Sequence, residues 1–596
     1  NFLYKKTIMT KDNELFGHPK GLFVLFFTEM WERFSYYGMR AILVLYIISE
    51  TTGDNPGLGW SNGEALALYG WYTMMVYVMS IPGGILADKF LGQKKTVMLG
   101  GLLLCLGHGV LAIENIWAFY TGLTLIVLGV GGLKPNISTM VGGLYPAGDV
   151  RRDKGFTIFY IGINLGAFLS SLIVGYIGEE IGWHYGFALA GIGMILGQIV
   201  YMFGQKYLIG VGDLVKVDPK SGDVDKPLTK IEKDRIVVML LSFIIIVVFW
   251  GAFEQAGGLM NIYTMEKIDR SIFGLEIPAS VFQSVNAFFI IIFGTSVAGF
   301  WAKRQLNGKE SSTLFKMATG TMIMGLGFLL MTFAAQEVDS AYGTKAAMYW
   351  LIGAYLLHTI GELFASPNAL SFVTKLAPAK YASIMMGLYF AATGFGSKLA
   401  GTIGEMSQVE TIEVAYSGTE KDIINYVSDT TFSKKLAFEL KSTIKVSDST
   451  IEFNSIVDQK NTASLFDISK ESIVKIKESM EDLDNVSEFH STIKLKFEEI
   501  ILSAESTDSS EDLSSNQKYL SMCCNDCIEH IQNGSSIRTY TIKGQFIVDE
   551  VQNRREFMTF TGIFLFTLAF GLLLMIFIKK LKALTHGAED LETDLA

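Results

Sequence analysis

Residues 21–48 read Gly21-Leu22-Phe23-Val24-Leu25-Phe26-Phe27-Thr28-Glu29-Met30-Trp31-Glu32-Arg33-Phe34-Ser35-Tyr36-Tyr37-Gly38-Met39-Arg40-Ala41-Ile42-Leu43-Val44-Leu45-Tyr46-Ile47-Ile48. A helix of this length crosses a bilayer core of ~30 Å at about 1.5 Å per residue. Yet Glu29, Glu32, Arg33 and Arg40 interrupt the apolar run. Each such group costs at least ~2.5–3.5 kcal/mol in lipid, so each marks a pathway or a paired site. Glu29, Arg33, Tyr36, Tyr37 and Arg40 follow helical spacing and form one stripe, with Glu32 beside it. That stripe has to face protein or water.

Similar apolar stretches recur along the 596 residues, at 20–48, 64–86, 96–114, 117–141, 156–177, 185–204, 236–262, 279–301, 315–334, 347–372, 381–403 and 557–578. Half of the chain is apolar and only 18% is charged, against about 25% in an ordinary soluble domain. The chain therefore reads as an all-α, polytopic membrane protein with twelve spans. Composition and a net charge of −10 exclude collagen-like, disulfide-scaffold and basic nucleic-acid-binding classes. The polar loops after even-numbered spans carry Lys89, Lys94, Lys95, Arg151, Arg152, Lys154, Lys206, Lys303, Arg304, Lys375 and Lys380, among others, whereas the opposite loops carry little beyond Lys267, Arg270 and Lys345. The positive-inside rule then places both termini in the cytoplasm. No small-residue cleavage site precedes the first span, which reads as retained; residues 1–8 precede Met9 and receive no role.

A polar insertion, 405–555, separates the last two spans and by parity lies outside the cytoplasm. It holds 27 Asp and Glu against 16 Lys and Arg, so the acidity of the chain belongs to it. Alternation in Ser442-Thr443-Ile444-Lys445-Val446 and Thr539-Tyr540-Thr541-Ile542-Lys543 predicts strands, and 466–501 has a weaker helical period. A small α+β or partly flexible domain is expected. Cys523, Cys524 and Cys527 lie in it; a local disulfide is the first reading there and metal binding the second. The segment Gly83-Gly84-Ile85-Leu86-Ala87-Asp88-Lys89 is echoed six spans later by Ala298-Gly299-Phe300-Trp301-Ala302-Lys303-Arg304, as two six-helix repeats would produce.

Further ionisable residues sit in later spans: Lys134, Glu254 and Glu362. Counting from the cytoplasmic ends puts Glu29 and Glu32 ~14–18 Å deep, Lys134 ~12–15 Å, Glu362 ~20 Å, Glu254 ~28 Å and Arg40 ~30 Å. Depth therefore matches Lys134 with Glu29 or Glu32, and Arg40 with Glu254. A cavity between the halves would be basic on one wall and acidic on the other. It would hold a small zwitterion by its carboxylate at Arg33, Arg40 or Lys134 and by its amine at Glu362. Asn164 and Asn286 can orient it or simply join helices, and His108 and His358 read as packed residues. Burial favours a neutral carboxyl and a nearby cation an ionised one. A substrate that takes the cation therefore promotes proton binding, which is thermodynamic coupling.

These residues resemble the proton-dependent oligopeptide transporter family of the major facilitator superfamily. Glu29-Met30-Trp31-Glu32-Arg33-Phe34-Ser35-Tyr36-Tyr37 matches E-x-x-E-R-F-x-Y-Y, and Phe159-Tyr160-Ile161-Gly162-Ile163-Asn164-Leu165-Gly166 matches F-Y-x-x-I-N-x-G. Gly83 to Gly92, Lys134-Pro135-Asn136, Phe249-Trp250-Gly251-Ala252-Phe253-Glu254-Gln255 and Gly361-Glu362-Leu363-Phe364-Ala365-Ser366-Pro367 complete the pattern, across about 17–404 and 556–580. The resemblance implies that Glu29, Glu32, Arg33 and Lys134 handle protons, Lys134 also meeting the peptide carboxylate. Arg40 with Glu254 would form an extracellular gate. Asn164, Asn286 and Glu362 would hold the peptide amino end; Tyr36, Tyr37 and Tyr77 would line the cavity. Trp250 would shape a side-chain pocket and Asp88 steady the cytoplasmic loop. Tyr389 stands where the family has tryptophan, and Gly70 where animal relatives have a proton-handling histidine. Residues 205–234 are too polar for the additional helix pair of many bacterial members. The insertion follows the eleventh span, whereas the animal outer domain follows the ninth.

The expected organisation is a cytoplasmic segment 1–19, a six-helix bundle 20–204, a linker 205–235, a bundle of five helices 236–404, the insertion 405–555, a last helix 556–580 and a tail 581–596. The expected function is proton-coupled import of di- and tripeptides across the inner membrane by a monomer, without cofactor or metal. A facilitator for another small solute and a receptor or adhesion protein acting through the insertion are the alternatives. No nucleophile–base or metal-ligand constellation in the membrane part suggests an enzyme.

Overall fold

Each expected span overlaps a helical segment, although 112–114 lie beyond the helix that ends at Leu111, 347 precedes the helix that begins at Met348, and 381 lies outside the described residues. The computed structural model describes residues 14–51, 53–146, 149, 151–214, 228–339, 344–378, 382–409, 412–419, 444–447, 450–453, 466–467, 491–495, 501–503 and 539–588. In chain order the long helical segments are α1 (Lys20–Ile48), α2 (Asn62–Leu91), α3 (Gln93–Leu111), α4 (Ile116–Gly143), α5 (Lys154–Glu180), α6 (Trp183–Gly204), α7 (Lys230–Lys267), α8 (Ala279–Leu306), α9 (Thr313–Glu337), α10 (Met348–Leu376), α11 (Ala382–Met406) and α12 (Asp549–Ala583). Nine helices among the described residues are long and apolar enough to cross a membrane by length and composition. The run of Glu29, Glu32, Arg33 and Arg40 accounts for the absence of α1 from that set.

Local chemistry sets the boundaries. A capping box of Ser61 with Glu64 starts α2, and one of Thr229 with Glu232 starts α7, each satisfying otherwise orphan amide groups. Helix α7 thus begins inside the expected linker and extends past 262; α12 begins before 556 and ends past 580. Toward its C-terminal end α7 tightens into a 3₁₀ turn, Glu254–Gly257, and breaks at Gly258. A π-turn, Ser171–Gly175, interrupts α5.

Helices α1, α5 and α6 pack together, as do α3, α4 and α6; α9 packs on α10 and α12, and α7 on α11. Between the halves, α2 meets α11 and α5 meets α8. Without a solvent-driven hydrophobic gain between helices in lipid, close approach of small residues supplies the packing. Gly70 sits where α2 crosses α11: a Cβ there would lie 2.9 Å from the Gly401 Cα. The crossing has no room for an imidazole, which gives the glycine at this position a physical reason. At the α1–α5 contact a Cβ on Gly166 would collide with the Met30 carbonyl oxygen. Gly166→Ala is therefore expected to cost about 1–3 kcal/mol through overpacking. Gly84→Ala, which meets open space, should leave thermal unfolding in detergent unchanged. Equal melting of the two variants would contradict this.

One apolar core joins α1–α6 to the C-terminal part of α7, including Phe249, Ala252, Ala256, Leu259 and Tyr263. The other ends of α7, α10 and α11 form a separate core around Val238, Phe243, Phe372, Val373 and Met385. The halves thus share a core at the end that contains Arg40 and Glu254.

Within the insertion, Ile412–Thr419 pairs antiparallel with Thr539–Val548, in register from Ile412 opposite Phe546 to Thr419 opposite Thr539. This ribbon connects the ends of α11 and α12. The expected run 442–446 overlaps the strand Ile444–Ser447, its first two residues lying outside the described ones, and 539–543 lies within Thr539–Val548. In the stretch expected to be weakly helical, Phe466–Asp467 and Ser491–Leu495 are strands instead, drawn into pairing with the ribbon. Cys523, Cys524 and Cys527 lie outside the described residues.

Candidate functional site

Helix α1 brings most of the charge to the interior. Glu29, Glu32, Arg33, Arg40 and, on α7, Glu254 are all at least nine-tenths buried. Burial of isolated ions is so unfavourable that they assemble into pairs. Arg33 Nε lies 2.8 Å from Glu29 Oε1, one helical turn away, and 2.8 Å from Glu32 Oε2. Arg40 Nη1 lies 3.0 Å from Glu254 Oε2, joining the two halves as depth matching predicts. Tyr69 on α2 donates its hydroxyl to the same carboxylate oxygen at 3.1 Å.

Lys134 departs from expectation. Its Nζ lies 3.9 Å from the centroid of the Tyr77 ring, and it has no direct ion pair with Glu29 or Glu32. Arg33, already on the same helix as both glutamates, reaches them at no cost in bringing elements together. Lys134 instead uses the face of a tyrosine, a favourable seat for a cation.

Tyr37 lies beneath both arginines, 5.9 Å from the Arg33 guanidinium carbon and 5.3 Å from that of Arg40. Tyr36 packs edge-on against it; its buried hydroxyl has no partner among the described residues. In the second half of the chain the Asn286 amide donates to Glu362 Oε2 and Thr359 Oγ1, each at 3.0 Å. Thr359 in turn donates to the Tyr355 carbonyl. Asn286 on α8 is thus fixed against two residues of α10, leaving the second Glu362 oxygen free of that contact. Asn164 donates to the Tyr160 carbonyl within α5. Trp250 is half-buried against Phe249 and Phe253. Asp88 is exposed in the π-turn Ala87–Leu91, at the C-terminal end of α2 and outside the charged cluster. Tyr389 is buried in the separate core of the second half. His108 and His358 are fully enclosed in apolar packing, His358 against the Phe328 ring.

Sequence reasoning missed Tyr69 and Thr359. Thr359 lies one helical turn before Glu362, a spacing that could have revealed it. It also missed the seam at the Arg40 end. There Asn261 of α7 donates to the Ala41 carbonyl at 2.8 Å, and Glu179 of α5 accepts from the backbone amides of Ala279 and Ser280 in α8.

Residues 94–213 and 223–420 match the profile of the POT family. The chain is 37% identical over 459 residues to the "Uncharacterized transporter YclF" of Bacillus subtilis (strain 168), covering 68% of this chain and 91% of that one. It is 34% identical over 441 residues to a "Di-/tripeptide transporter" of Lactococcus lactis subsp. lactis (strain IL1403), covering 64% of this chain and 88% of that one. Among solved structures, a peptide transporter POT in complex with sulfate has 34% identity and a TM-score of 0.62, covering 67% of this chain and 92% of that one.

Proposed function

The chain belongs to the POT family, and from that premise we propose that it imports di- and tripeptides together with protons by alternating access between two six-helix bundles. It is a membrane transporter and not an enzyme. The observation that carries the reading is the division of buried charge: Arg33 and Lys134 belong to the first half of the chain, whereas Glu362, held by Asn286, belongs to the second. Opposite charges separated in this way fit a peptide's two termini.

In this reading the peptide carboxylate is met by Lys134 or Arg33, and the amine by Glu362 with Asn286 and Asn164. Tyr36, Tyr37, Tyr77 and Trp250 line the space between them. Arg40 is the alternative carboxylate contact and the outer gate partner of Glu254. Glu29, Glu32 and Arg33 form the proton-handling cluster: when a substrate carboxylate draws its cation away, Glu32 is left to accept a proton, and peptide and proton favour the same state. Asp88 steadies the loop on which the halves rock. The closed seam at Arg40 and the separate inner core of the second half support an inward-open state, with both termini cytoplasmic, in the inner membrane. The insertion 405–555 lies outside on its two-stranded stem. The protein acts as a monomer with no cofactor.

Asn286→Ala removes one hydrogen bond that orients Glu362. A charge-assisted bond is worth about 1.5–3 kcal/mol, so peptide affinity should fall by roughly tenfold or more. The function itself is tested by counterflow of labelled dialanine in proteoliposomes. Competition by unlabelled di- and tripeptides, and none by free alanine, is expected; competition by free alanine alone would overturn the assignment.

A further inference from the structure

Glu179 closes α5 at the outer end, and its carboxylate reaches into the other half of the molecule. It accepts from the Ala279 amide at 2.9 Å, from the Ser280 amide at 2.6 Å, and from the Ser280 hydroxyl. Those donors are the first residues of α8, where amide groups have no intrahelical partner and the helix dipole favours a negative charge. Both sides are held in place. Asn55 donates to the carbonyls of Gly178 and Glu179 and so positions the end of α5. Across the seam, Arg270 donates to the Ile277 carbonyl at 2.6 Å and to Glu276 at 2.7 Å. This fixes the chain that leads through Pro278 into α8. The π-turn before Glu179 brings Gly175 against Ser280 so closely that a Cβ would collide with its hydroxyl. Ser280 is fully buried.

We infer that Glu179 is a second outer latch: it caps the start of α8 across the seam between the halves and holds the outer end closed alongside Arg40 and Glu254. The inference rests on the alternating-access reading. Opening the outer end must separate α5 from α8, which strips three donors from one carboxylate and the cap from one helix. The two latches differ in kind. Arg40–Glu254 joins two side-chain charges between α1 and α7, whereas Glu179 engages mainly backbone. The closed state therefore holds both α7 and α8 against the first bundle, and neither can swing out alone. Glu179 is a positioning residue, remote from the peptide termini.

The test is a distance measurement between spin labels in the reconstituted full chain. Asp54→Cys, in the α1–α2 loop, and Phe273→Cys, on the hairpin before α8, are both exposed and flank the seam. The four native cysteines are replaced by serine. Glu179→Ala is expected to raise the ratio of long to short distances at least ~tenfold, the effect of losing charge-assisted hydrogen bonds. Ser280→Ala, which removes only the hydroxyl donor, should give a smaller rise in the same direction. Glu179→Gln, which preserves volume, is read identically should the alanine variant not fold. Arg40→Ala serves as the reference. If Arg40→Ala lengthens the distance and neither Glu179 variant does, the latch is refuted and the gate stands. If none of them changes the ratio, the gate reading falls with it.

Discussion

Glu32→Gln is expected to abolish concentrative uptake while leaving peptide exchange partly intact. Glu32 is fully buried, and its carboxylate lies 2.8 Å from Arg33 Nε. Glutamine nearly preserves its shape, so the helix packing and the cavity should persist. In the proposed mechanism, what is lost is the ability to exchange a proton when substrate displaces the cation. At one proton per neutral peptide, a gradient of one pH unit can concentrate substrate about tenfold, since each ~1.4 kcal/mol corresponds to a factor of ten. In the variant that ratio should collapse to unity, with counterflow of preloaded peptide still measurable. Unchanged accumulation would remove Glu32 from the coupling, whatever its importance to packing.

Arg40→Ala should produce the second large effect, on the gate. Truncating Arg40 leaves Glu254 buried with Tyr69 as its remaining hydrogen-bond donor. Removing one partner of a buried ion pair costs about 3–5 kcal/mol, because the other charge is left uncompensated. The closed outer end should therefore lose most of its population. The molecule can also relieve the cost by opening and hydrating Glu254. Outward accessibility should rise and uptake should fall. Arg40→Ala combined with Glu254→Ala removes the orphan charge, so the double variant is expected to close better than Arg40→Ala alone. Such non-additivity is the signature of a direct pair. Strictly additive effects, or normal transport by the single variant, would rule out the gate.

The Arg40–Glu254 pair was legible in the sequence because the cost of burying an ion forces it to find a partner at its own depth. The same argument failed for Lys134. Depth alone could not show that Arg33 is a nearer partner for Glu29 and Glu32, or that Tyr77 offers Lys134 an aromatic face. Asn286 and Glu362 were placed in one site by their polarity within apolar helices. Thr359, a residue that commonly bonds its own backbone, gave no such signal. Tyr69 was hidden because a tyrosine in an apolar span packs as readily as it donates. Glu179 was hidden for another reason: its partners are mostly backbone amides, which carry no mark in the sequence, and it lies at the edge of a span where a glutamate is unremarkable in composition. Helix locations followed from hydropathy, whereas the break at Gly258 and the start of α7 at Lys230 depended on local turn and cap chemistry. Period-2 alternation at 539–543 marked the first part of the stem strand Thr539–Val548. It could not reveal the pairing with 412–419, which is set by the two helix ends that the ribbon joins.

Coupling of peptide to proton is tested by uptake of labelled dialanine into proteoliposomes under an inward proton gradient, with and without a protonophore. Accumulation above equilibrium that the protonophore abolishes is expected. Absence of accumulation from folded, inserted protein, or accumulation indifferent to the protonophore, would contradict the coupling.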